Sequence, residues 1–329
     1  MANPQPGTVS VNDLLVSTIA NRQKQAADAN SRNNAFFAKI KQSKSVKPFT
    51  GGTDLRHEVN YAEAAGFKWY SGFEKLDTTH NEVLTYLVFP VKQAAVSVSV
   101  SGIEGELNSG DQKYLDILAE RLSSAETTLQ NRIAQGLYSL GTGSGGKELS
   151  GLQAYISTTP TSGTIGGITR SGNTFCQNVS YSAVTDGGAA KSSANIAKYV
   201  TTVYNRIIRA KPDDRPNLII SDNNDMELFE EYARARQYTM DDYLASLGFE
   251  GYKFKGATWM LDGGFGGYCP ANTTYLVNTK HFFHRPHSKK NMVPLAKRAP
   301  VDQDAEIHYI LFYGANTVDL PFLHGVLTA

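Results

Sequence analysis

The hydrophobic pattern of residues 109–141 is the strongest structural signal in this chain. Apolar residues recur there in steps of three and four, at Leu115, Leu118, Leu122, Ala125, Leu129, Ile133, Leu137 and Leu140. This spacing places them on one stripe of a helix with a period of 3.6 residues. Ser109 and Gln112 form a capping-box pattern, and Gly141 supplies an end signal. The pattern predicts a spine helix over 109–141, about 45 Å long, which suits a flat and extended subunit.

A β-rich region precedes this helix. Residues 82–90 (EVLTYLVFP) are almost all β-branched, aromatic or apolar, which is typical of a strand. Residues 94–102 alternate strictly between serines on one face and valines on the other, namely Val96, Val98 and Val100. An aromatic cluster lies ahead of both segments and consists of Trp69, Tyr70 and Phe73. We therefore predict an extended β excursion over 46–102.

The remaining segments mix helices and strands. Two helical pieces are predicted within 11–42, and the second contains Phe36, Phe37 and Ile40. Helical spacing returns over 192–210 and over 223–236, where SDNND (221–225) provides a cap. A buried strand is predicted at 217–221, and further strands are predicted within 273–329. The strand–helix alternation indicates an α/β or α+β domain over about 180–285, and for the chain as a whole we predict an α+β fold.

Charge and cysteine content narrow the possible environments. The 329 residues include 32 lysines and arginines against 31 aspartates and glutamates, so no global field favours nonspecific nucleic-acid binding. Cys176 and Cys269 match no metal-ligand spacing, and two free thiols or one disulfide are both compatible with them. The N-terminus shows no signal peptide, and no segment has the ~20 apolar residues of a membrane span. We expect a soluble protein made in the cytoplasm, without a membrane partner.

One segment departs from this neutrality. Residues 22–47 contain seven lysines or arginines and a single acid, Asp28. A solvated helix face is one interpretation of this basic arm. Contact with an acidic neighbour and contact with nucleic acid are the alternatives.

The loop GTGSGGKE (141–148) imitates a phosphate-binding loop. Gly141, Gly146 and Lys147 have the spacing of that motif, but Glu148 stands where a hydroxyl would hold the metal. The loop also follows a helix, whereas a phosphate loop follows a strand and opens a helix. We interpret it as a helix end followed by a flexible turn.

Histidines and acids could also suggest chemistry. A spacing of three makes side chains in a strand alternate between faces, so we expect surface or subunit-contact roles for His281, His284 and His287. Helix caps and turns account for three acidic groups: Asp213–Asp214, Asp222 with Asp225, and Asp241–Asp242. No common catalytic motif is present. We predict no catalytic residues, no cofactor, no metal and no enzymatic activity.

Several segments together carry a family resemblance. They are RNNAFFAKIKQ (32–42), FTGGTDLRHEVNY (49–61), YSGFEKLDTTHNEVLTYLVFPVKQAAVSVSVSG (70–102), LNSGDQ (107–112), LQNRIAQGLYSLGTGSGGKELSGLQAYI (129–156) and PTSGTIGGITRS (160–171). With the order of elements above, this set resembles the major capsid proteins of tailed bacteriophages, which have the HK97 fold. The C-terminal half resembles the family more loosely, through element order and the NLIISDN strand (217–223).

The resemblance implies a domain organisation. It consists of an N-terminal arm (1–45), an extended β E-loop (46–102), a peripheral domain with the spine helix (103–180), an axial domain (181–285) and C-terminal strands that return to the peripheral domain (286–329). The valine stripe and the Trp69 cluster are then candidates for contact with a neighbouring subunit. Packing within the same subunit is the alternative for the valines.

The resemblance also implies a function. Pentamers and hexamers of the chain would form an icosahedral shell around double-stranded DNA, in a virion assembled in the host cytoplasm. The implied partners are a portal protein, a possible decoration protein and DNA bound without sequence specificity. About 45 residues precede the E-loop, so we expect a separate scaffolding protein, which the basic arm would contact. Lys68 and Lys75 lie in the E-loop, but no asparagine and glutamate partners are identifiable, and we predict no covalent crosslinking.

Three other functions remain as alternatives. The first is an encapsulin-type bacterial nanocompartment, which shares the fold and encloses enzyme cargo. The second is a hydrolase or nucleotide-binding enzyme built on the glycine loop and the histidines. The third is a phage tail or adhesion protein, which would form tubes or trimers.

Overall fold

The computed structural model describes residues 34–63, 65–76, 81–107, 117–209, 211, 214–235, 251–263, 267–295 and 304–329. They form two compact units. The first contains the described parts of Ala95–Gln130 and Met292–Leu311; the second contains those of Arg32–Ala94, Asn131–Asn291 and Phe312–Ala329. Within these described ranges, no helix is both long and apolar enough to span a bilayer.

The described residues form both helices and strands, as predicted for an α+β chain. The helices are α1 (Ala35–Gln42), α2 (Gly102–Leu107), α3 (Ile117–Gly136), α4 (Leu152–Tyr155), α5 (Ile196–Ile207) and α6 (Asn223–Arg234), with 3-10 turns at Thr174–Cys176 and Pro321–Leu323. The strands are β1 (Asp54–Asn60), β2 (Leu84–Pro90), β3 (Lys92–Ser101), β4 (Thr164–Ile165), β5 (Ile168–Thr169), β6 (Val179–Ser182), β7 (Leu218–Ser221), β8 (Gly251–Phe254), β9 (Ala257–Leu261), β10 (Thr274–Val277), β11 (Phe282–Pro294), β12 (Ala305–Val318) and β13 (Gly325–Thr328).

A six-stranded mixed sheet forms the centre of the second unit. Its order is β6-β13-β10-β7-β9-β8, in which β13 runs parallel to β6 and β7 runs parallel to β9. Every residue of β7 and of β10 is buried, which is typical of central strands. The apolar stripe of α5 joins this core, and Phe229 of α6 stacks on Trp259 of β9 with ring centroids 3.8 Å apart. Burial of these rings contributes much of the stability of this unit.

The start of α6 follows the cap that the sequence predicts. Asp222 has extended backbone angles, and its Oδ1 accepts a hydrogen bond from the backbone N–H of Asp225 at 3.1 Å. This bond satisfies one of the N–H groups that a helix N-terminus leaves without an intrahelical partner. Helix α5 and strand β7 are confirmed in the same way, with boundaries within a few residues of the prediction.

The structure confirms the position of the spine helix, but the helix ends earlier than the sequence pattern predicts. As described, α3 spans Ile117–Gly136, 20 residues and therefore about 30 Å. It ends before Gly141 because the backbone carbonyl groups of residues 137–139 accept hydrogen bonds from the N–H groups of residues 151–153. This lateral pairing replaces the next helical turn. The predicted residues 109–116 lie outside the described ranges.

The first unit contains α3 as far as Gln130 and β3 from Ala95 onward, with the end of β11 from Met292 and the start of β12 as far as Leu311; these strands belong to a sheet of order β11-β12-β3. Arg121 of α3 forms a two-pronged ion pair with Glu104 of α2, with N–O distances of 3.0 and 3.1 Å. The same guanidinium donates to the carbonyl oxygen of Ser99 in β3 at 2.8 Å. One arginine thus joins two helices and a strand, in the fork geometry that favours Arg over Lys.

The second N-terminal helical piece is confirmed as α1. Phe36 and Ile40 are fully buried, and the Phe36 ring lies 5.5 Å from the ring of Tyr138. The Nδ2 atom of Asn34 donates to Oδ1 of Asn131 at 3.2 Å. Helix α1 is therefore packed into the second unit. The first predicted helical piece, and residues 22–33 of the basic arm, lie outside the described residues.

Candidate assembly interface

Strands β1 and β2 form an antiparallel hairpin with two unlike faces. Their register pairs Leu55 with Phe89 and His57 with Leu87. Leu55, Leu87 and Phe89 are buried on one face, because strand residues two apart share a side. The opposite face exposes Leu84 and Tyr86, which are large apolar side chains. This hairpin therefore has one face packed in its own unit and an opposite face that exposes Leu84 and Tyr86 beside Arg56 and Glu58 of β1.

The connection between the two strands extends this exposed apolar surface. Trp69 is 87% exposed and Phe73 is fully exposed, so neither ring is packed in its own unit. The same region exposes further apolar side chains: Tyr61, Phe67, Tyr70 and Leu76. We call this set, with Leu84 and Tyr86, the aromatic hairpin surface. A concentration of exposed apolar side chains in one loop is characteristic of an interaction site.

Local contacts order part of this surface. The rings of Phe67 and Trp69 meet edge to face with centroids 5.5 Å apart. Lys68 Nζ lies 2.8 Å from Glu74 Oε2, although both side chains are about half exposed. An ion pair this exposed contributes little to the stability of the fold. Its main effect is on the conformation of the loop. Tyr61 contacts the Phe175 ring at 5.4 Å and holds the base of the loop.

The hairpin is supported from below by the β4–β5 turn. The backbone N–H of Val88 donates to the carbonyl oxygen of Gly166 at 2.9 Å. Gly166 has a φ of +55°, and a side chain there would approach the Cβ atom of Leu87 to 2.7 Å. Only glycine permits this close approach with that backbone conformation. The turn thereby fixes the position of β2.

The valine stripe of β3 has the predicted alternation but belongs largely to its own unit. Val98 is buried, and it lines an open groove together with Ala125 and Thr128 of α3. Ser97 and Ser99 point to the exposed side. Packing within the same subunit, the alternative that the sequence left open, is therefore the role of Val98.

The glycine loop forms a turn that carries a carboxylate. Ser144 and Gly145 adopt left-handed backbone angles within Gly143–Gly146. Glu148 accepts a hydrogen bond from the Ser139 hydroxyl at 2.7 Å, and its carboxylate lies against Gly143. Lys92 donates to the Gly146 carbonyl oxygen. A loop that presents a carboxylate and carbonyl oxygens does not have the chemistry of a phosphate cradle.

The three histidines have separate structural partners, and that of His287 is the Phe49 ring, which it meets edge to face with centroids 5.2 Å apart. His284 is buried, its Nδ1 lies 2.8 Å from Oδ1 of Asn316, and its ring stacks on Phe312. The surface or subunit-contact role that we predicted for His284 is therefore wrong. Burial lowers its pKa, because the charged form would lose solvation. His281 pairs with Asp319 at 2.9 Å.

The acidic groups behave as caps and core pairs where they are described. Asp225 is buried and pairs with Lys191 Nζ at 2.6 Å, and it also accepts from the Thr274 hydroxyl at 2.6 Å. Burial raises the pKa of Asp225, while Lys191 opposes that shift. Asp241–Asp242 and Asp213 lie outside the described residues. Within the described ranges, no group of three or more His, Cys, Asp or Glu side chains is arranged to hold a metal ion.

Comparisons with known proteins identify the fold. No protein-family model matches the chain, and no curated protein matches its sequence. The capsid asymmetric unit of cyanophage A-1(L) matches with a TM-score of 0.65 and 14% identity, over 93% of this chain and 96% of that one. The capsid of Myoviridae phage XM1 matches with a TM-score of 0.56 and 12% identity, over 99% and 100% of the two chains. This chain has the fold of phage capsid proteins.

An encapsulin shell has the same fold. The holo-SrpI encapsulin complex from Synechococcus elongatus PCC 7942 matches with a TM-score of 0.59 and 10% identity, over 97% of this chain and 95% of that one. The resemblance to tailed-phage capsid proteins that the sequence indicated is thus confirmed at the level of the fold.

Sequence reasoning missed a buried carboxyl group within this capsid fold. Asp262 directly follows β9 and is 1% exposed; its Oδ2 accepts a hydrogen bond from the Tyr138 hydroxyl. Its Oδ1 has no hydrogen-bond partner among the described residues. Burial raises the pKa of Asp262 to about 7, although hydrogen bonds from Tyr138 and the Phe36 backbone act against this shift. No local motif marks this aspartate, because Phe36 and Tyr138 come from distant segments of the chain.

Both cysteines are free thiols, which is one of the two states compatible with the sequence. Cys176 is fully buried, and burial raises the pKa of its thiol to about 11. Burial also raises the pKa of Cys269, and the nearby Asp262 carboxylate adds to this effect. A reactive cysteine needs a lowered pKa, so both thiols have the character of structural residues.

Proposed function

We propose that this chain is the major capsid protein of a tailed bacteriophage with the HK97 fold. In this proposal, pentamers and hexamers of the chain close into an icosahedral shell around double-stranded DNA. The observation that carries it is the joint occurrence of a capsid fold over more than nine-tenths of the chain and the aromatic hairpin surface. The subunit catalyses no reaction, and its work is the sum of many repeated interfaces.

The proposal assigns a role to each segment. Residues 1–45 are the N-terminal arm, 46–102 the E-loop, 103–180 the peripheral domain, 181–285 the axial domain and 286–329 the returning strands. The aromatic hairpin surface then lies within the E-loop. An extended hairpin suits contact with an adjacent subunit, because one face can pack against its own subunit while the other packs against the neighbour.

The energy available from this surface is sufficient for assembly by repetition. Full burial of one large apolar side chain contributes about 1.5–3 kcal/mol relative to exposure. Every subunit buries several such side chains at its contact with a neighbour. Many individually weak contacts therefore add up to a stable shell. Association costs offset part of this gain, so a single pair of subunits would bind only weakly.

A pair of variants tests this assignment. Trp69→Ser combined with Phe73→Ser removes the two most exposed rings of the loop, whereas Val184→Ser removes an exposed apolar side chain elsewhere. When each protein is expressed with the neighbouring genes that supply the scaffolding protein, sedimentation velocity should show particles for the wild type and for Val184→Ser, and mostly free subunits for the double variant. Equal particle yields for all three proteins would contradict the role of the hairpin.

An encapsulin-type nanocompartment is the second candidate, favoured by the match to the SrpI shell. The two functions differ in what the shell encloses. Purified particles of a phage capsid protein should contain nuclease-protected DNA when the viral genes accompany it. Particles of a nanocompartment should contain a folded enzyme and no protected DNA.

The proposed partners follow from the capsid function. They are a separate scaffolding protein, a portal protein, a possible decoration protein and packaged DNA bound without sequence specificity. The proposed location is the virion, with assembly in the host cytoplasm. Lys68 is already engaged with Glu74, and we continue to predict no covalent crosslinking between subunits. Boiled particles should therefore give a single subunit band on a denaturing gel.

A further inference from the structure

Two cationic side chains lie side by side where the segment after α1 runs along β11. A parallel bridge joins Val46 to His284, and a second one follows three residues further along both segments. This constant register places Lys47 directly beside Arg285. Residues paired in this way carry their side chains on the same face of the sheet.

Ring contacts confirm that both cations occupy one face. Lys47 Nζ lies 3.9 Å from the centroid of the Phe283 ring, and Phe283 shares its strand face with Arg285. His57 of β1 stacks on the same ring, with centroids 5.6 Å apart. Lys47, His57 and Arg285 therefore surround Phe283 within the second unit.

The two cations lack the partners that such an arrangement needs. Among the described residues, neither the Lys47 nor the Arg285 side chain forms an ion pair or a hydrogen bond, and Arg285 Nε is buried. The acidic group that faces the cluster is Asp319, whose Oδ1 lies 2.9 Å from Nδ1 of His281. Lys47 is exposed and Arg285 is partly buried. Like charges directly opposite one another on a sheet are destabilising, so a bound anion would relieve this repulsion.

The causes of the shifted His57 pKa show which charges act on this imidazole. Burial is the main reason why the pKa of His57 is lowered. Asp319 acts to raise this pKa, whereas Arg285 and Lys47 both act to lower it. The imidazole is thus kept neutral beside the two cations, and its Nε2 lies 2.9 Å from the Thr317 hydroxyl.

We propose that Lys47 and Arg285 form a binding site for a phosphate group. Arginine presents a planar fork that matches phosphate oxygens, and lysine adds a compact point charge. Two adjacent positive charges match a phosphate group, which carries about −1.5 to −2 as a free ion or monoester near pH 7 and about −1 as a backbone diester. The source of the phosphate is either the free ion or a nucleic-acid backbone, and the second source rests on the proposed enclosure of DNA.

Calorimetry and DNA titration of the purified full-length chain test this site. Inorganic phosphate is titrated into the wild type, Lys47→Gln, Arg285→Gln and the control Lys198→Gln, which removes an exposed lysine of α5. A charged hydrogen bond contributes about 1.5–3 kcal/mol, so each site variant should bind at least about tenfold more weakly, whereas the control should not change. Arg285→Lys retains the charge and should recover part of the affinity, which separates loss of charge from misfolding.

A short DNA duplex distinguishes the two sources. If backbone phosphates occupy the site, removing one cation should reduce the slope of log affinity against log salt by about 0.9. Binding of inorganic phosphate with an unchanged DNA slope identifies the free ion as the ligand and still supports the site. Equal phosphate affinity in all variants, together with an unchanged DNA slope, would overturn the proposal. Shell formation is scored separately by microscopy, so the site and the capsid function can fail independently.

Discussion

Asp262 provides the sharpest test of the packing that we describe. Its carboxyl group is buried between β9, Tyr138 and α1, and its pKa is raised from 3.8 to about 7. A raised pKa means that the folded chain binds the proton more tightly than the unfolded chain. The free energy of unfolding should therefore fall as the pH rises from about 4 to 7, and then level off.

The magnitude follows from the size of the shift. The interval from 3.8 to about 7 corresponds to about 4 kcal/mol at 1.36 kcal/mol per pKa unit. Asp262→Asn keeps the shape of the side chain and an acceptor for the Tyr138 hydroxyl, but it removes the titration. Relative to the wild type, this variant should gain about 4 kcal/mol of stability between pH 4 and pH 8.

Urea unfolding of the unassembled subunit, followed by circular dichroism, measures this difference at several pH values. Asp54→Asn, at an exposed position in β1, is the matched control, and its difference from the wild type should not vary in this way. Parallel pH profiles for Asp262→Asn and the wild type would refute the reasoning. They would show that the Asp262 carboxyl group is well solvated in the folded chain.

Three further substitutions test other parts of the second unit by urea unfolding at pH 7. Lys191→Met leaves Asp225 buried without its cation and should cost about 3–5 kcal/mol, with a smaller loss at acidic pH, where Asp225 is neutral. Phe229→Ala removes a fully buried ring of the central core and should cost about 3–5 kcal/mol. Gly166→Ala places a methyl group against Leu87 at a residue with a positive φ, so it should lower the free energy of unfolding by about 2–4 kcal/mol.

Controls at exposed sites accompany these three variants. Lys198→Met and Val184→Ala change the same classes of side chain at exposed positions and should shift stability by less than about 0.5 kcal/mol. A loss below about 1 kcal/mol for Lys191→Met would mean that Asp225 finds another partner. For Gly166→Ala, wild-type stability would mean that the β4–β5 turn moves away from β2.

The elements that the sequence predicted well are those whose pattern is local. The stripe of α5 and the Asp222 cap of α6 each depend on residues within a few positions of one another. Strand β12 (Ala305–Val318) likewise lies within 273–329, where further strands are predicted. The resemblance to phage capsid proteins added the fold, which element order alone leaves open.

The features that the sequence did not predict depend on distant segments. The spine helix ends at Gly136 because residues 151–153 pair with the backbone that follows it. His284 is buried because Asn316 and Phe312, about 30 residues away in the chain, surround its ring. The pairing of Lys47 with Arg285 arises in the same way, from a strand register that joins residues far apart.

The central claim is that this chain builds a closed shell. Negative-stain electron microscopy of the protein, expressed with and without the neighbouring viral genes, tests it most directly. The account predicts closed polyhedral particles or sheets of hexamers, and dependence on a neighbouring gene would identify the scaffolding protein. A stable monomer under every condition would contradict the account.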